Sequence, residues 1–181
     1  MLDANVLVPI TLTDTLLHVA EQGMFEPLWS QRILDETLQA LKVLHADKSN
    51  ALEKRIAQMN FAFPQACVGG WEYLESGLAG LCPDPEDAHV VAAAILGRAD
   101  VIVTSNLKDF PDSLLSPLGL QAVDPDDFLL DQLDLNVGLV LRGIEAQVSA
   151  MSRPAHAMDV LLERLRKFAP NFVSEVQTLM E

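Results

Sequence analysis

Three carboxylates stand where a carboxylate has to be explained. Asp3 interrupts the apolar stretch Leu2-Asp3-Ala4-Asn5-Val6-Leu7, and burying it unpaired would be costly, so it calls for a metal or a functional hydrogen-bond network. A solvated chain end is the competing reading. Glu36 lies in a segment whose apolar face is Ile33, Leu34, Thr37, Leu38, Leu41 and Leu44. At about 100° per residue it falls on the flank bordered by Ile33, Ala40 and Val43, whereas Asp35 falls with Gln39 and Lys42 toward solvent. Asp87 follows Asp84-Pro85-Glu86, and an acid three residues after a helix cap is ordinary capping chemistry when taken alone. Taken with Asp3, Thr104, Asn106 and Asp109 it reads differently. An oxygen-only set without paired Cys or His suits Mg²⁺ or Mn²⁺, and such a site activates water and stabilises the charge of a phosphoryl displacement.

The elements that must position these residues alternate. Leu2 begins a strand expected to continue toward Val6-Leu7-Val8, and Thr13 caps a helix ending near Gln22 and Gly23. A short strand is expected from Phe25 to Trp29, then a helix capped by Ser30 and running to Leu44, a polar helix from Lys48 to Asn60, and a strand at Ala66-Cys67-Val68. Asp84 and Pro85 read as N-cap and first helical residue, with the helix ending at Gly97. The β-branched run Val101-Ile102-Val103-Thr104 predicts a buried parallel strand, and Gln121-Ala122-Val123 a last one. Asp124-Pro125 repeats the cap-plus-proline signal. Beyond Asn136 the sequence reads as helices broken at Pro154 and Pro170, without internal repeats. In such an open sheet the strand carrying Asp3 and the strand starting at Val101 end at one edge, beside the helix start carrying Asp87, where doubly wound folds place their ligands.

Charge divides along the chain. Residues 1–135 hold 21 Asp and Glu against 7 Lys and Arg, a net of −14, and residues 136–181 hold 5 of each sign. An acidic domain repels nucleic acid unless cations intervene. The 181 residues suffice for one good core. No apolar run approaches the ~18 residues of a membrane span and no signal peptide is evident, so a soluble cytoplasmic protein is expected. The two cysteines, Cys67 and Cys82, form neither a disulfide framework nor a zinc spacing and are expected as buried, inert thiols.

Four stretches together resemble one family: Leu2-Asp3-Ala4-Asn5-Val6-Leu7, Ile33-Leu34-Asp35-Glu36, Asp87-Ala88-His89-Val90-Val91-Ala92-Ala93-Ala94 and Thr104-Ser105-Asn106-Leu107-Lys108-Asp109-Phe110. In order and spacing they are similar to the PIN-domain ribonucleases, including the VapC-type toxins of toxin–antitoxin systems. The resemblance implies a three-layer α/β/α sandwich with a mostly parallel central sheet over residues 1–132, and a helical C-terminal extension over 136–181. It implies Mg²⁺ or Mn²⁺ held by Asp3, Glu36, Asp87 and Asn106, the last replacing an Asp of many family members, with Thr104, Asp109 and His89 in support.

The activity implied is metal-dependent hydrolysis of RNA, with a cognate antitoxin and homodimerisation as family traits. Arg142, Arg153, Arg164, Arg166 and Lys167 in the neutral tail are candidates for gripping the RNA backbone; a solvated helix face is the bland reading. Two alternatives remain. One is a PIN-like domain that binds without cutting, which Asn106 favours. The other is a phosphoacceptor receiver domain built on Asp3, Thr104 and Lys108, which lacks the expected acidic pair and explains neither Glu36 nor Asp87.

Overall fold

The computed structural model describes residues 1–151 and 157–180. It divides into two compact units: Met1–Val8 with Pro27–Val123, and Pro9–Glu26 with Asp124–Glu181. The division expected at residues 132 and 136 follows chain order, whereas in space the second unit also takes in the segment from Pro9.

In the first unit the strands are short and parallel. Strand β1 (Trp29–Ser30) pairs with β2 (Cys67–Val68), and β3 (Val101–Val103) pairs with β4 (Gln121–Val123). The first three residues join the pairs. Met1 O accepts from Val103 N at 2.8 Å, Asp3 N donates to Val103 O at 3.1 Å, and Leu2 N donates to Leu28 O at 2.7 Å. The bridge between Leu2 and Val103 is parallel, so Asp3 and Thr104 leave the sheet at the same carboxyl edge.

The strand does not continue toward Val8. Residues Ala4–Leu7 form a helical turn, α1, with Asp3 at its cap. An apolar run this short fits either element by periodicity, and the Asp3 side chain accepting from Ala4 N decides for the helix. The strand expected at Phe25 to Trp29 is shifted to Trp29–Ser30. Ser30 then caps α3 (Gln31–Leu44) as expected, its Oγ accepting from Ile33 N at 3.2 Å. Helices α4 (Ser49–Ala62) and α5 (Glu72–Leu78) follow, the latter without a capping signal in sequence. Asp84 caps a 3₁₀ turn, Pro85–Asp87, which leads into α6 (Ala88–Leu96). Helix α6 is buried from Ala88 through Ala94, all of it apolar except His89. Gly97 closes it where a Cβ would stand 2.8 Å from Val68 Cγ2, so only glycine lets the helix end lie on that strand. A short α7 (Asp112–Leu115) precedes β4.

The second unit is helical: α2 (Ile10–Glu21), α8 (Pro125–Leu135), α9 (Val137–Ala150), α10 (Ala157–Leu165) and α11 (Pro170–Met180). Helix α2 starts at Pro9 rather than at Thr13, whose hydroxyl instead donates to Pro9 O. It packs on α9 because Gly143 admits the His18 carbonyl to 3.0 Å of where a Cβ would be. Thr15 donates to the buried Gln147 across the same contact at 2.8 Å. Buried Asp126 accepts from Phe172 N at 2.8 Å and Asn171 N at 3.0 Å, which ties α8 to the first turn of α11. Pro154 lies outside the described residues; Pro170 opens α11 as its first residue. Among the described residues no helix is long and apolar enough to cross a membrane.

Candidate functional site

Asp3 is 6 % exposed and fully engaged. Oδ1 accepts from Ala4 N at 2.6 Å; Oδ2 accepts from Thr104 Oγ1 at 2.8 Å and from the amide of Asn5. Thr104 is buried, and its hydroxyl accepts in turn from Asn5 Nδ2 at 2.8 Å and Asn106 N at 3.0 Å. Burial raises the Asp3 carboxyl above its ordinary value, and the hydrogen bonds from Thr104 and Ala4 pull against that rise. The nearby Glu36 charge adds to it. The network reading of Asp3 holds, and the frayed-end reading does not.

Asn5 was not singled out by sequence reasoning. Its Oδ1 accepts from Ser105 N at 3.0 Å while its amide serves Asp3 and Thr104. The signal was present in Asp3-Ala4-Asn5, but only a helical turn after Asp3 brings the Asn5 side chain back toward the sheet edge.

Glu36 is partly buried on the flank the wheel assigned to it, and Asp35 is exposed. Arg32 Nε donates to Glu36 Oε1 at 3.2 Å, and His89 Nε2 stands 3.1 Å from the same oxygen. Burial pushes the Glu36 carboxyl up, but the His89 hydrogen bond and the Arg32 charge outweigh it and hold the group below its ordinary value. Arg32 also donates to Glu75 on α5 at 2.5 Å and to Glu86 at 3.1 Å. One guanidinium thereby links α3, α5 and the turn that carries Asp87. The Arg32–Glu36 pair has the i,i+4 spacing of one helix face and was open to sequence reasoning, which did not single it out; the contact with Glu75 had no such signal, since it spans 43 positions.

Asp87 makes no side-chain cap bond to α6. The side-chain cap bond falls to Asp84, whose Oδ1 accepts from Glu86 N at 2.9 Å, and Asp87 remains an acidic residue of the first turn without a cap bond of its own. Its carboxyl is pushed up to about 6, first by burial and then by the charges of Asp3, Asp84 and Asp109. Cys82 beside it is buried, and its thiol is raised by burial and by Asp87 and Asp84. Cys67, expected as buried, is exposed at β2.

Asn106 donates its amide to Asp109, so the two residues act as one unit. His89 is 1 % exposed, packed with its ring 5.8 Å from that of Trp71, which removes it from contact with a substrate. Arg142, Arg164, Arg166 and Lys167 are exposed, with Arg166 bonded to Ser174 and Gln177. Arg153 lies outside the described residues.

A PIN domain family model matches residues 1–108, and a model described as the VapC50 C-terminal domain matches residues 125–178. The chain belongs to the PIN domain family, with parallel strands in an α/β fold and a helical C-terminal extension. It is 45 % identical over 94 residues to a protein of Mycobacterium tuberculosis (strain ATCC 25618 / H37Rv) named "Putative ribonuclease VapC50". That match takes in 52 % of this chain and 56 % of the relative, so the chain spans about half the length of the curated relative it matches. No solved structure matches.

The acids fit a divalent cation in their chemistry. They are hard oxygen donors whose mutual repulsion, felt at Asp87 and Asp3, a cation would relieve. Among the described residues no group of three or more His, Cys, Asp or Glu stands ready as a metal cage. Asp3 is committed to Thr104, and Glu36 to Arg32 and His89. Seating an ion therefore means exchanging some of these protein partners.

Proposed function

We propose that this chain is a Mg²⁺- or Mn²⁺-dependent endoribonuclease and the toxin of a type II toxin–antitoxin pair. The observation that carries the reading is Asp87: a half-buried carboxylate at the start of α6 that makes no side-chain cap bond and is pushed up to about 6 by burial and by the charges of Asp3, Asp84 and Asp109. A perturbed carboxylate beside like charges supports a functional site, because a bound cation would relieve that repulsion. Membership of the PIN family and the likeness to a protein named as a ribonuclease support it.

In this reading Asp3, Glu36, Asp87 and Asn106 hold the ion, with Thr104 and Asp109 in support. When bound, a divalent ion supplies an activated water and neutralises phosphoryl charge. The chain's own residues do the positioning. Thr104 and Asn5 fix the Asp3 carboxylate at the end of its strand, Asn106 is held by Asp109 and by its own N–H to Thr104, and Arg32 ties the Asp87 turn to the Glu36 helix. An antitoxin segment carrying Arg or Lys would be recognised by the same carboxylates.

Two measurements test this reading. Products of cleaving a mixed RNA pool are expected to carry 5′-phosphate and 3′-hydroxyl ends. Cyclic 2′,3′-phosphate ends would mean attack by the ribose hydroxyl and would contradict it. Replacing Arg164, Arg166 and Lys167 together by Ala is expected to weaken RNA binding and to lower the slope of log affinity against log salt by about 2. An unchanged slope would remove these residues from the interface.

A further inference from the structure

Two partners of Glu36 meet it on one oxygen. Arg32 Nε and His89 Nε2 converge on Oε1, at 3.2 and 3.1 Å. The two partners differ in kind. Arg32 is shared with Glu75 and Glu86 and partly exposed, whereas the His89 side chain is buried and, among the described residues, its Nδ1 has no hydrogen-bond partner.

His89 Nδ1 is buried without a hydrogen-bond partner. That makes imidazole a poor choice for filling space, because an unsatisfied buried nitrogen is unfavourable and an apolar side chain against Trp71 would avoid it. What the ring contributes is Nε2. A bare Nδ1 places the ring proton on Nε2, where it donates to Glu36. We propose that His89 is the positioning residue of Glu36, fixing the carboxylate through Oε1 so that Oε2 is left for the acidic site. The inference rests on the nuclease reading above, and it removes His89 from the residues that meet substrate.

The test is Mn²⁺ titration of the full chain, followed by calorimetry, with kcat and KM on RNA measured beside it. His89→Leu removes the donor, while His89→Gln returns an amide nitrogen close to the place of Nε2. His89→Leu is expected to weaken Mn²⁺ binding about tenfold and to lower kcat with little change in KM for RNA, the scale on which loss of a ligand's hydrogen-bond partner acts. His89→Gln is expected to recover most of both. In a Glu36→Gln background, His89→Leu is expected to have no further effect on Mn²⁺ affinity, because the two residues act through one contact.

Equal losses in the Leu and Gln variants, or losses that multiply in the double variant, would overturn the proposal while leaving the nuclease reading intact. A wild-type chain that neither binds Mn²⁺ nor cuts RNA would overturn both. Should His89→Leu fail to fold, the comparison of His89→Gln with wild type in the two Glu36 backgrounds decides: a loss of Mn²⁺ affinity greater than about tenfold in His89→Gln contradicts the proposal, and a smaller one upholds it.

Discussion

Asp87→Asn is expected to abolish RNA cleavage, by at least about a hundredfold, and yet to stabilise the protein in the absence of divalent ions. The sign follows from the raised carboxyl. Between the ordinary Asp value of 3.8 and about 6, the folded state holds a proton that the unfolded state has lost. Stability contributed by this group is therefore full below the unfolded value and is lost as pH rises through about 6. At pH 7 the wild-type chain carries an ionised Asp87 against Asp3, Asp84 and Asp109, and the amide does not. Solvent screening at a half-buried carboxylate holds the gain to about 1–2 kcal/mol. Urea unfolding at pH 4, 5.5 and 7 in EDTA checks it. The two proteins should converge at pH 4 and separate by pH 7, and an Asp87→Asn chain less stable at pH 7 would mean that the carboxylate serves the fold.

Thr104→Val has the opposite signature, with a large loss of stability carrying activity down with it. The buried hydroxyl donates to Asp3 Oδ2 and accepts from both Asn5 Nδ2 and Asn106 N. Valine has the same shape and none of these bonds, leaving a buried carboxylate short of a donor and two donors short of an acceptor. Each unsatisfied buried group costs about 1–3 kcal/mol, and partial relaxation at exposed Ser105 and half-buried Asn106 limits the total to about 3 kcal/mol. Because the Thr104 hydrogen bond also restrains the rise of the Asp3 carboxyl, the activity that remains should need a higher pH than wild type. Thr104→Ser keeps the hydroxyl and should recover most of both. Chemical denaturation with a pH–rate profile reads the two effects together, and a Val variant as stable as wild type would show that the network contributes little.

What could be read from sequence was whatever is local. Ser30, Asp84-Pro85 and Asp124-Pro125 start their helices through bonds to backbone two or three residues on, and those starts are where the sequence placed them. The β-branched run at Val101 and the stretch Gln121-Ala122-Val123 are strands where the sequence placed them, although their pairing joins residues 20 positions apart. Val6-Leu7 went the other way because a short apolar run carries no periodicity of its own, and one Asp3 oxygen at the Ala4 N–H decides it. At the site, the order Asp3, Glu36, Asp87, Asn106 was legible as a pattern of oxygen donors. Their partners were not. Asn5 and Arg32 lie within four residues of Asp3 and Glu36, but the Asn5 bonds to Thr104 and Ser105, the Arg32 bond to Glu75 and the Nε2 contact of His89 join segments 43 or more positions apart, and no window of sequence contains those. The place of α2 among the C-terminal helices has the same origin, in the His18 backbone meeting Gly143.

The most direct measurement is cleavage of a mixed RNA pool by wild-type chain and by Asp87→Asn, each with Mn²⁺ and with EDTA. The account predicts fragments only from wild type with Mn²⁺. Cleavage that survives both the substitution and the chelator would contradict it.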